Sequence, residues 1–287
     1  MVDVVTIAVN AVLLSALYAL VAIGFTMIFG IAEVLNVAHG ANITIGGFSA
    51  YFVWSVLDLS IWIGAIAALI IPGIFSLIVY KYLIKPIEDD PTMVVILTLA
   101  VLLVVEYAFR TFVGDTARAI PSLLPGQTQI AGLTLQNNRV FVFLLSWALI
   151  IGLILFINRT WTGQAIEAVG MNRRGAALAG IDQHRITLYT WFIAGMLAGI
   201  AGLFFGSFQS VSWEMGLDPL LLSFTIVILG GIGSIKGSVV GAYIIGTLET
   251  LTVTLIDARL AGAASLIVLF FVLIAMPQGL YGRAEVE

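Results

Sequence analysis

The chain has 287 residues, of which 61% are hydrophobic and 10% are charged, with a formal net charge of −4 and no cysteine. Soluble domains have roughly 45–50% apolar and about 25% charged residues, so this composition excludes a water-soluble globular protein and predicts one that is dissolved in lipid. The lack of cysteine excludes disulfides, thiolate metal sites and a cysteine nucleophile, and the small, dispersed charge offers no basic surface for nucleic acid.

Apolar segments long enough to cross a membrane recur along the chain. A helix needs about 20 apolar residues, at about 1.5 Å each, to span the hydrocarbon, whereas a membrane barrel shows short alternating strands. The continuous runs predict an all-α membrane protein, a polytopic bundle of about eight or nine transmembrane helices. Segments 4–31 and 219–233 are candidates for broken or re-entrant helices because of their unusual lengths. The predicted segments are 4–31, 41–57, 61–82, 92–113, 139–157, 186–206, 219–233, 238–256 and 261–277.

A polar stretch interrupts the first two apolar runs. It contains Asn36, His39, Gly40 and Asn42, and His39 is one of only two histidines in the chain. An unwound connection at membrane depth must satisfy its backbone within protein or in a cavity, and such breaks often line transport routes. We therefore assign these residues to a candidate translocation path, with a hydrogen-bonded structural histidine as the alternative.

Two connections are longer than the rest, and no soluble domain fits between the apolar segments. Residues 114–138 contain prolines and glycines and are predicted to form an external loop. Residues 158–185 mix charged residues with Ala, Leu and Ile, and are predicted to form one or two short helices at the cytoplasmic surface. The whole chain, 1–287, is thus predicted to be a single membrane domain.

The positions of lysine and arginine predict the orientation in the cell membrane. Cytoplasmic loops of membrane proteins carry an excess of these residues. Placing the loops after the third and fifth segments in the cytoplasm puts eight of the twelve basic residues there, and it predicts an external N-terminus and a cytoplasmic C-terminus. The eight are Lys81, Lys85, Arg159, Arg173, Arg174, Arg185, Lys236 and Arg283.

Small residues recur at helical spacing in two segments. Gly195, Gly199 and Gly202 share one face of segment 186–206, and Gly237 and Gly241 repeat the four-residue step later in the chain. Helices in lipid associate through close packing at small residues. These glycines are predicted to lie at helix–helix interfaces, which either fix the helices or let them slide during transport.

Charged side chains inside a membrane segment cost about 2.5–3.5 kcal/mol on insertion scales, so each needs a partner or a watery cavity. Glu106 and Arg110 are four residues apart on one predicted helix face, and this spacing predicts an ion pair. Glu249 has no charged residue at such spacing, and we assign it to the translocation path or to an interhelical contact.

The glycine-rich sequence at 230–238 is not a nucleotide-binding loop. The phosphate-binding pattern requires Gly before the lysine and Ser or Thr after it, but Ile235 and Gly237 flank Lys236 here. It is interpreted as a break between two helices. No metal site, cofactor or catalytic residue is predicted.

Three blocks of the sequence resemble the permease subunits of branched-chain amino acid ATP-binding cassette importers, the LivH type. They cover most of the chain in the expected order. The first block is Tyr18-Ala-Leu-Val-Ala-Ile-Gly24-Phe-Thr-x-Ile-Phe-Gly30 with Val34-Leu-Asn36-Val-Ala-His39-Gly40. The second is Gly163-Gln-Ala-Ile-Glu167-Ala-x-Gly170, Ala176-Ala-Leu-x-Gly180-Ile-Asp182 and Ala198-Gly-x-Ala-Gly202, and the third is Leu229-Gly-Gly-Ile-Gly-Ser234-Ile-x-Gly237-x-x-x-Gly241.

The resemblance implies a membrane subunit that imports branched-chain or related amino acids and receives its energy from elsewhere. Its implied partners are a second permease, homologous or identical, two cytoplasmic ATPase subunits and an extracytoplasmic substrate-binding protein. The resemblance also implies that residues 158–185 couple the permease to the ATPases. This chain has Gln164 or Glu167 where the family usually has a basic residue. The candidate coupling residues are Glu167, Gly170, Arg173, Arg174, Gly180 and Asp182.

Other functions remain open at this point. An ABC permease for urea or short amides shares the same blocks. An ion-coupled secondary transporter of small polar solutes would need ionisable residues near the midplane, a place that Glu249 and His39 fit. A membrane enzyme is disfavoured, because the sequence has neither His–Glu–His zinc spacing nor a nucleophile elbow.

Overall fold

A computed structural model describes residues 4–32, 34–130, 133–276 and 278–282. Within these ranges the chain is almost entirely helical, and its two strands form one antiparallel hairpin outside the helical bundle. The helices are α1 Val4–Ala32, α2 Ala38–Tyr51, α3 Ile61–Val79, α4 Pro91–Val113, α5 Asn137–Arg159, α6 Trp161–Met171, α7 Arg173–Leu178, α8 Gln183–Gln209, α9 Leu217–Gly230, α10 Ile235–Leu255 and α11 Ala263–Ala275, and the strands are β1 Gln127–Ile130 and β2 Leu133–Gln136.

The all-α membrane fold is confirmed. Among the described residues, seven helical segments are long and apolar enough to cross a membrane. π-helical turns at Phe52–Val56 and Tyr80–Ile84 extend α2 and α3. Both α2 and α9 have 14 residues, which is fewer than a full crossing requires. Residues 277 and 283–287, including Arg283 of the basic-residue count, lie outside the described residues.

Side-chain caps begin the helices at one end of the molecule. Asp90 accepts hydrogen bonds from the first amides of α4, and Pro91 follows at the first helical position. Thr160, Asn172, Asp182 and Ser234 likewise accept from the third amide of α6, α7, α8 and α10. A helix leaves its first four amides without partners inside the helix, so these caps explain why the segments begin where they do.

The core lies around α1, α2 and α8. Residues 38–50 of α2 are all buried, and α2 packs on α8 and α3 while α1 packs on α10, α8, α5 and α9. The most apolar stretches of α4, α5 and α11 are at most 28% buried, against 72% or more in α1 and α8. Apolar faces that no protein covers are expected on helices in contact with lipid, so α4, α5 and α11 form the outside of the bundle.

Glycines make the close contacts of α8. A methyl group on Gly199 would overlap the Ala68 carbonyl and the Pro72 ring of α3, and one on Gly202 would overlap the Ile43 carbonyl of α2. Gly195 faces Ser76 and Pro72 in the same way. The α8 backbone therefore lies against both neighbouring helices at a separation that only glycine allows.

The other predicted glycines join α10 to α9. Gly237 lies against the backbone of Gly230, and Gly241 lies against the carbonyl of Ile226. The hydroxyls of Thr26 in α1 and Ser238 in α10 lie 2.5 Å apart, and both are buried. The first half of α10 is therefore fixed on two sides.

Helices α2 and α9 begin at the same depth of the bundle. Gly40, in the first turn of α2, packs against Leu102 and Gly216, and Leu102 is the middle residue of α4. From this level α2 runs alongside the second half of α4, where Phe48 stacks on Phe109 with ring centroids 4.2 Å apart. Helix α9 runs the opposite way, to the α10 turn. The segment predicted at 219–233 thus covers only part of the depth.

Candidate functional site

Helices α6 and α7 form a small surface across one end of the bundle. Ile166, Val169 and Ala176 are buried against the membrane helices, while Leu178 is 91% exposed and Glu167 is also exposed. This apolar side explains why two short helices, of the kind predicted for residues 158–185, stay seated on the bundle. We call residues 158–185 the coupling segment.

The six candidate coupling residues lie in this segment but have different environments. Glu167 and Arg174 are exposed and make no hydrogen bond or ion pair to the residues that the structure describes. Gly180 has φ +81°, a conformation that favours glycine, and it ends α7. Asp182 caps α8 and pairs with Arg185 at 3.0 Å. Arg174 and Glu167 are therefore the ones free to meet another protein.

The remaining two coupling candidates face the bundle. Gly170 lies against the carbonyl of Gly30, so that an added methyl group would be 3.0 Å from that oxygen. The Nε of Arg173 donates a hydrogen bond to the carbonyl of Ile31 at 3.2 Å. Both contacts are to the last turn of α1, and they could not be predicted from the sequence because the partners are about 140 positions apart.

The candidate path residues surround the start of α2 and are buried. His39 Nε2 lies 3.2 Å from the Val21 carbonyl, and its ring packs edge-on against Phe25. His39 Nδ1, Asn42 Oδ1 and both polar atoms of the Asn36 side chain have no partner among the described residues. An unsatisfied buried polar group costs about 1–3 kcal/mol. Four such atoms therefore leave the start of α2 with hydrogen-bonding groups that the described residues do not satisfy.

Glu249 lies apart from this cluster. Its Oε1 accepts a hydrogen bond from the amide of Gly262 at 2.7 Å, and its Oε2 accepts one from the Ser265 hydroxyl at 3.1 Å. The carboxylate of α10 therefore caps the N-terminus of α11, where the helix dipole favours a negative charge. Of the two roles assigned from the sequence, the geometry matches the interhelical contact.

The predicted Glu106–Arg110 ion pair is wrong. Arg110 Nε pairs with Asp115 at 2.6 Å, and its guanidinium lies 5.0 Å from the ring centre of Trp213. Glu106 is buried, and its Oε1 has no partner among the described residues. Positions 106 and 110 do lie on one face of α4. Arg110 nevertheless pairs with Asp115 in the loop after α4, because both of these side chains are exposed whereas Glu106 is buried.

Sequence reasoning missed two contacts near the start of α2. Thr98 in α4 accepts a hydrogen bond from the Val37 amide at 3.2 Å, which satisfies one of the amides freed by the break before α2. Gly216, the residue before α9, packs on Gly40. Neither has a local pattern in the sequence, because a threonine or glycine between apolar helices has many other uses.

A family model described as "branched-chain amino acid transport system / permease component" matches residues 7–277. The chain belongs to this permease family. Its resemblance to LivH-type permeases is thereby confirmed, and family membership together with the seven apolar helices makes it a multi-pass membrane protein.

Curated relatives match the permease along nearly its whole length. It is 28% identical to the high-affinity branched-chain amino acid transport system permease protein LivH of Salmonella typhimurium, over 97% of this chain and 95% of that one. It is 27% identical to the corresponding protein BraD of Pseudomonas aeruginosa, over 97% and 96%. Each alignment therefore covers nearly the whole length of both proteins.

A solved structure shares the fold. PsaBC from Streptococcus pneumoniae, in complex with Fab, superposes with a TM-score of 0.53 at 14% sequence identity, covering 95% of this chain and 92% of that one. At this identity the likeness concerns the arrangement of the helices and not the transported solute.

Proposed function

We propose that this protein is the membrane-spanning permease subunit of an ATP-binding cassette importer for branched-chain amino acids. The observation that supports this most is the family match over residues 7–277, with LivH and BraD relatives covering 97% of the chain. The exposed coupling segment gives a permease of this kind a place to receive energy from separate ATPase subunits.

The partners follow from this role. Two ATPase subunits would dock from the cytoplasm, one on the coupling segment of each permease, where Glu167, Arg174 and Leu178 are among the exposed side chains. A second permease, identical or homologous, would complete the membrane part, and an external binding protein would deliver the amino acid. Protein interfaces typically have an apolar centre surrounded by polar residues. Exposed Leu178 with Glu167 and Arg174 on the same segment agrees with docking at this place.

An external N-terminus and a cytoplasmic C-terminus fit the distribution of charge. The last turn of α1 touches the coupling segment, so the start of α1 lies at the opposite end of the bundle. Leu280 and Tyr281 donate backbone hydrogen bonds to Leu229 and Gly230, beside the turn that also contacts Gly30. On this side lie seven of the eleven basic residues that the structure describes, which favours placing it in the cytoplasm.

Nine passes of the membrane are consistent with this orientation. Seven are the long apolar helices, and the other two are α2 and α9, each preceded by a non-helical stretch that reaches the middle of the bundle. Discontinuous helices of this kind are common at transport routes. In the proposed cycle, Asn36, His39, Gly40 and Asn42 come into contact with solute when α2 and α9 separate, and their unpartnered atoms then find partners.

Reconstituted uptake tests the proposal. The permease would be co-expressed with the ATPase, the second permease and the binding protein encoded beside it, and the complex placed in proteoliposomes. We expect ATP-dependent uptake of labelled leucine, isoleucine or valine, and competition among them, with urea and acetamide as comparison solutes. Uptake that follows an ion gradient in vesicles without the ATPase would contradict the proposal, and ATP-driven uptake of amides alone would correct the solute.

A further inference from the structure

The C-terminal end of α1 has no cation of its own. The last four carbonyls of a helix lack partners within the helix, and a positive side chain close to them is favourable. The last turn of α1 contains no basic residue, and Ile31, whose carbonyl is one of those four, is next to its end. Arg173, which begins α7, supplies both the missing donor and the missing charge through its Nε.

Arg173 is itself held from the other side. Its backbone carbonyl accepts a hydrogen bond from the Gln183 side chain in the first turn of α8. Gly170, in the last turn of α6, lies directly on the carbonyl of Gly30. The coupling segment is therefore attached to the last turn of α1 at two adjacent residues, Gly30 and Ile31.

The same turn of α1 touches both breaks of the bundle. Gly30 lies against Gly233, in the turn between α9 and α10, at a distance where an added methyl group would be 3.0 Å from the Gly233 Cα. On its own chain, α1 leads through residues 34–37 to the start of α2, where Val37 is tied to Thr98. A displacement of α6 and α7 would therefore be passed to α2 and to the α9–α10 turn through the last turn of α1.

Arg174 offers a direct contrast. It is the next residue, has the same charge, lies on the same short helix and is exposed like Arg173, but it makes no polar contact within the described parts of the chain. Of the two neighbouring arginines, Arg173 therefore binds the end of α1, whereas Arg174 is left available for another protein.

We propose that Arg173 is a positioning residue that transmits the movement of the coupling segment to the last turn of α1, whereas Arg174 contacts the ATPase. This inference rests on the proposed function, since it needs an ATPase to move the segment. The sequence predicted the same coupling role for both arginines, and the inference gives each of them a different part of that role.

Replacing each arginine by glutamine separates the two tasks. Glutamine Nε2 occupies the same place along the side chain as arginine Nε, so Arg173→Gln keeps the donor to Ile31 and loses the charge. Methionine has a similar length and no donor, so Arg173→Met loses both. We expect Arg173→Met to lower ATP-driven amino acid uptake about tenfold, the effect of one charge-assisted hydrogen bond, and Arg173→Gln to restore it to within about twofold of the wild type.

Binding of the purified ATPase to the reconstituted permease is measured in parallel. We expect both Arg173 variants to capture as much ATPase as the wild type and to let it hydrolyse ATP, whereas Arg174→Gln captures less. If Arg173→Met cannot be purified folded, Gly170→Val disturbs the neighbouring contact of α6 with Gly30 and is expected to give the same loss of uptake with ATPase binding retained.

Three results would overturn the inference: reduced ATPase capture by Arg173→Gln, wild-type uptake by Arg173→Met, or equal loss of uptake in the Gln and Met variants. Each presupposes that the wild-type complex imports amino acids with ATP. If the wild-type permease captures no ATPase and shows no ATP-driven uptake, it is the proposed function that fails.

Discussion

Glu249 shows how a costly charge is accommodated inside the bundle. A carboxylate at membrane depth needs donors, and here an amide and a hydroxyl of α11 supply them. The loop between α10 and α11 is short enough to bring Gly262 back to Glu249, 13 residues earlier in the chain. The residue therefore joins two helices at the edge of the bundle, where α11 has few other buried contacts.

Removing this cap is expected to loosen α11. Glu249→Ala should lower the free energy of unfolding by about 1–2 kcal/mol, the usual cost of a lost N-cap, and Glu249→Gln by less because the amide oxygen still accepts one hydrogen bond. Thermal unfolding in detergent measures the stability, and hydrogen exchange of the Gly262 amide measures the local effect. Unchanged protection of this amide in Glu249→Ala would contradict the assignment.

At the scale of elements, α8 is the helix around which α2 and α3 assemble. Its glycines lie at the points where the backbones meet, so the helices touch through main-chain atoms and not through interlocking side chains. Such contacts oppose sliding. Gly46 of α2 lies directly against the backbone of Gly199 in α8, and a shift along the helix would bring a larger residue into that contact. The geometry thus favours fixed packing of α2, α3 and α8 over the sliding that the glycine pattern alone also permits.

Adding one methyl group should distinguish these glycines from ordinary helical ones. Gly202→Ala places a methyl group on the Ile43 carbonyl, and we expect a loss of about 1–3 kcal/mol through overpacking. Gly152 in α5 is the matched control, because nothing lies within 4 Å of an added methyl group there. Gly152→Ala should be neutral or slightly stabilising, since alanine favours helices. Equal thermal stability of the two variants would show that the α2–α8 contact is not tight.

At the scale of the whole molecule, the coupling segment and the β1–β2 hairpin lie at opposite ends of the bundle. Helix α5 connects them directly, since it follows β2 and precedes α6. The side that carries more basic residues is the one with the coupling segment, and this asymmetry underlies the proposed orientation.

The orientation can be measured because the natural chain has no cysteine. Leu178→Cys and Gln129→Cys each introduce one thiol at an exposed position, on α7 and on β1. With an impermeant maleimide, Gln129→Cys should be labelled in intact cells, and Leu178→Cys only after the membrane is opened. The reverse pattern would invert the proposed topology and place the coupling segment outside, where no ATPase can reach it.

The fold class and most of the helices could be predicted from the sequence. Runs of apolar residues are long enough to define each membrane segment by themselves, and capping residues such as Thr160, Asn172 and Asp182 stand at the starts of helices in the usual way. The amphipathic pattern at 158–185 likewise gave the two short surface helices, since a helix that lies on a bundle needs one apolar side.

The roles of individual polar residues could not be predicted in the same way. Arg110 forms its ion pair with Asp115 and not with Glu106, and Glu249 accepts its hydrogen bonds from Gly262 and Ser265 at the start of α11. For Arg110 the sequence places both Glu106 and Asp115 within reach, and for Glu249 it allows both a pathway role and an interhelical contact. It contains no information about which partner is closer in space.

Composition and hydrophobic length by themselves determined that this protein is a helical membrane protein. The free energy of transferring a segment into lipid depends mainly on the residues of that segment. Tertiary structure alone decided that Arg173 binds the Ile31 carbonyl of α1 while Arg174 has no polar partner among the described residues, and that α2 and α9 begin side by side at Gly40 and Gly216. These outcomes depend on contacts between residues more than 100 positions apart. They are fixed only when the backbones pack, since no local preference distinguishes two adjacent arginines or selects one glycine among 29.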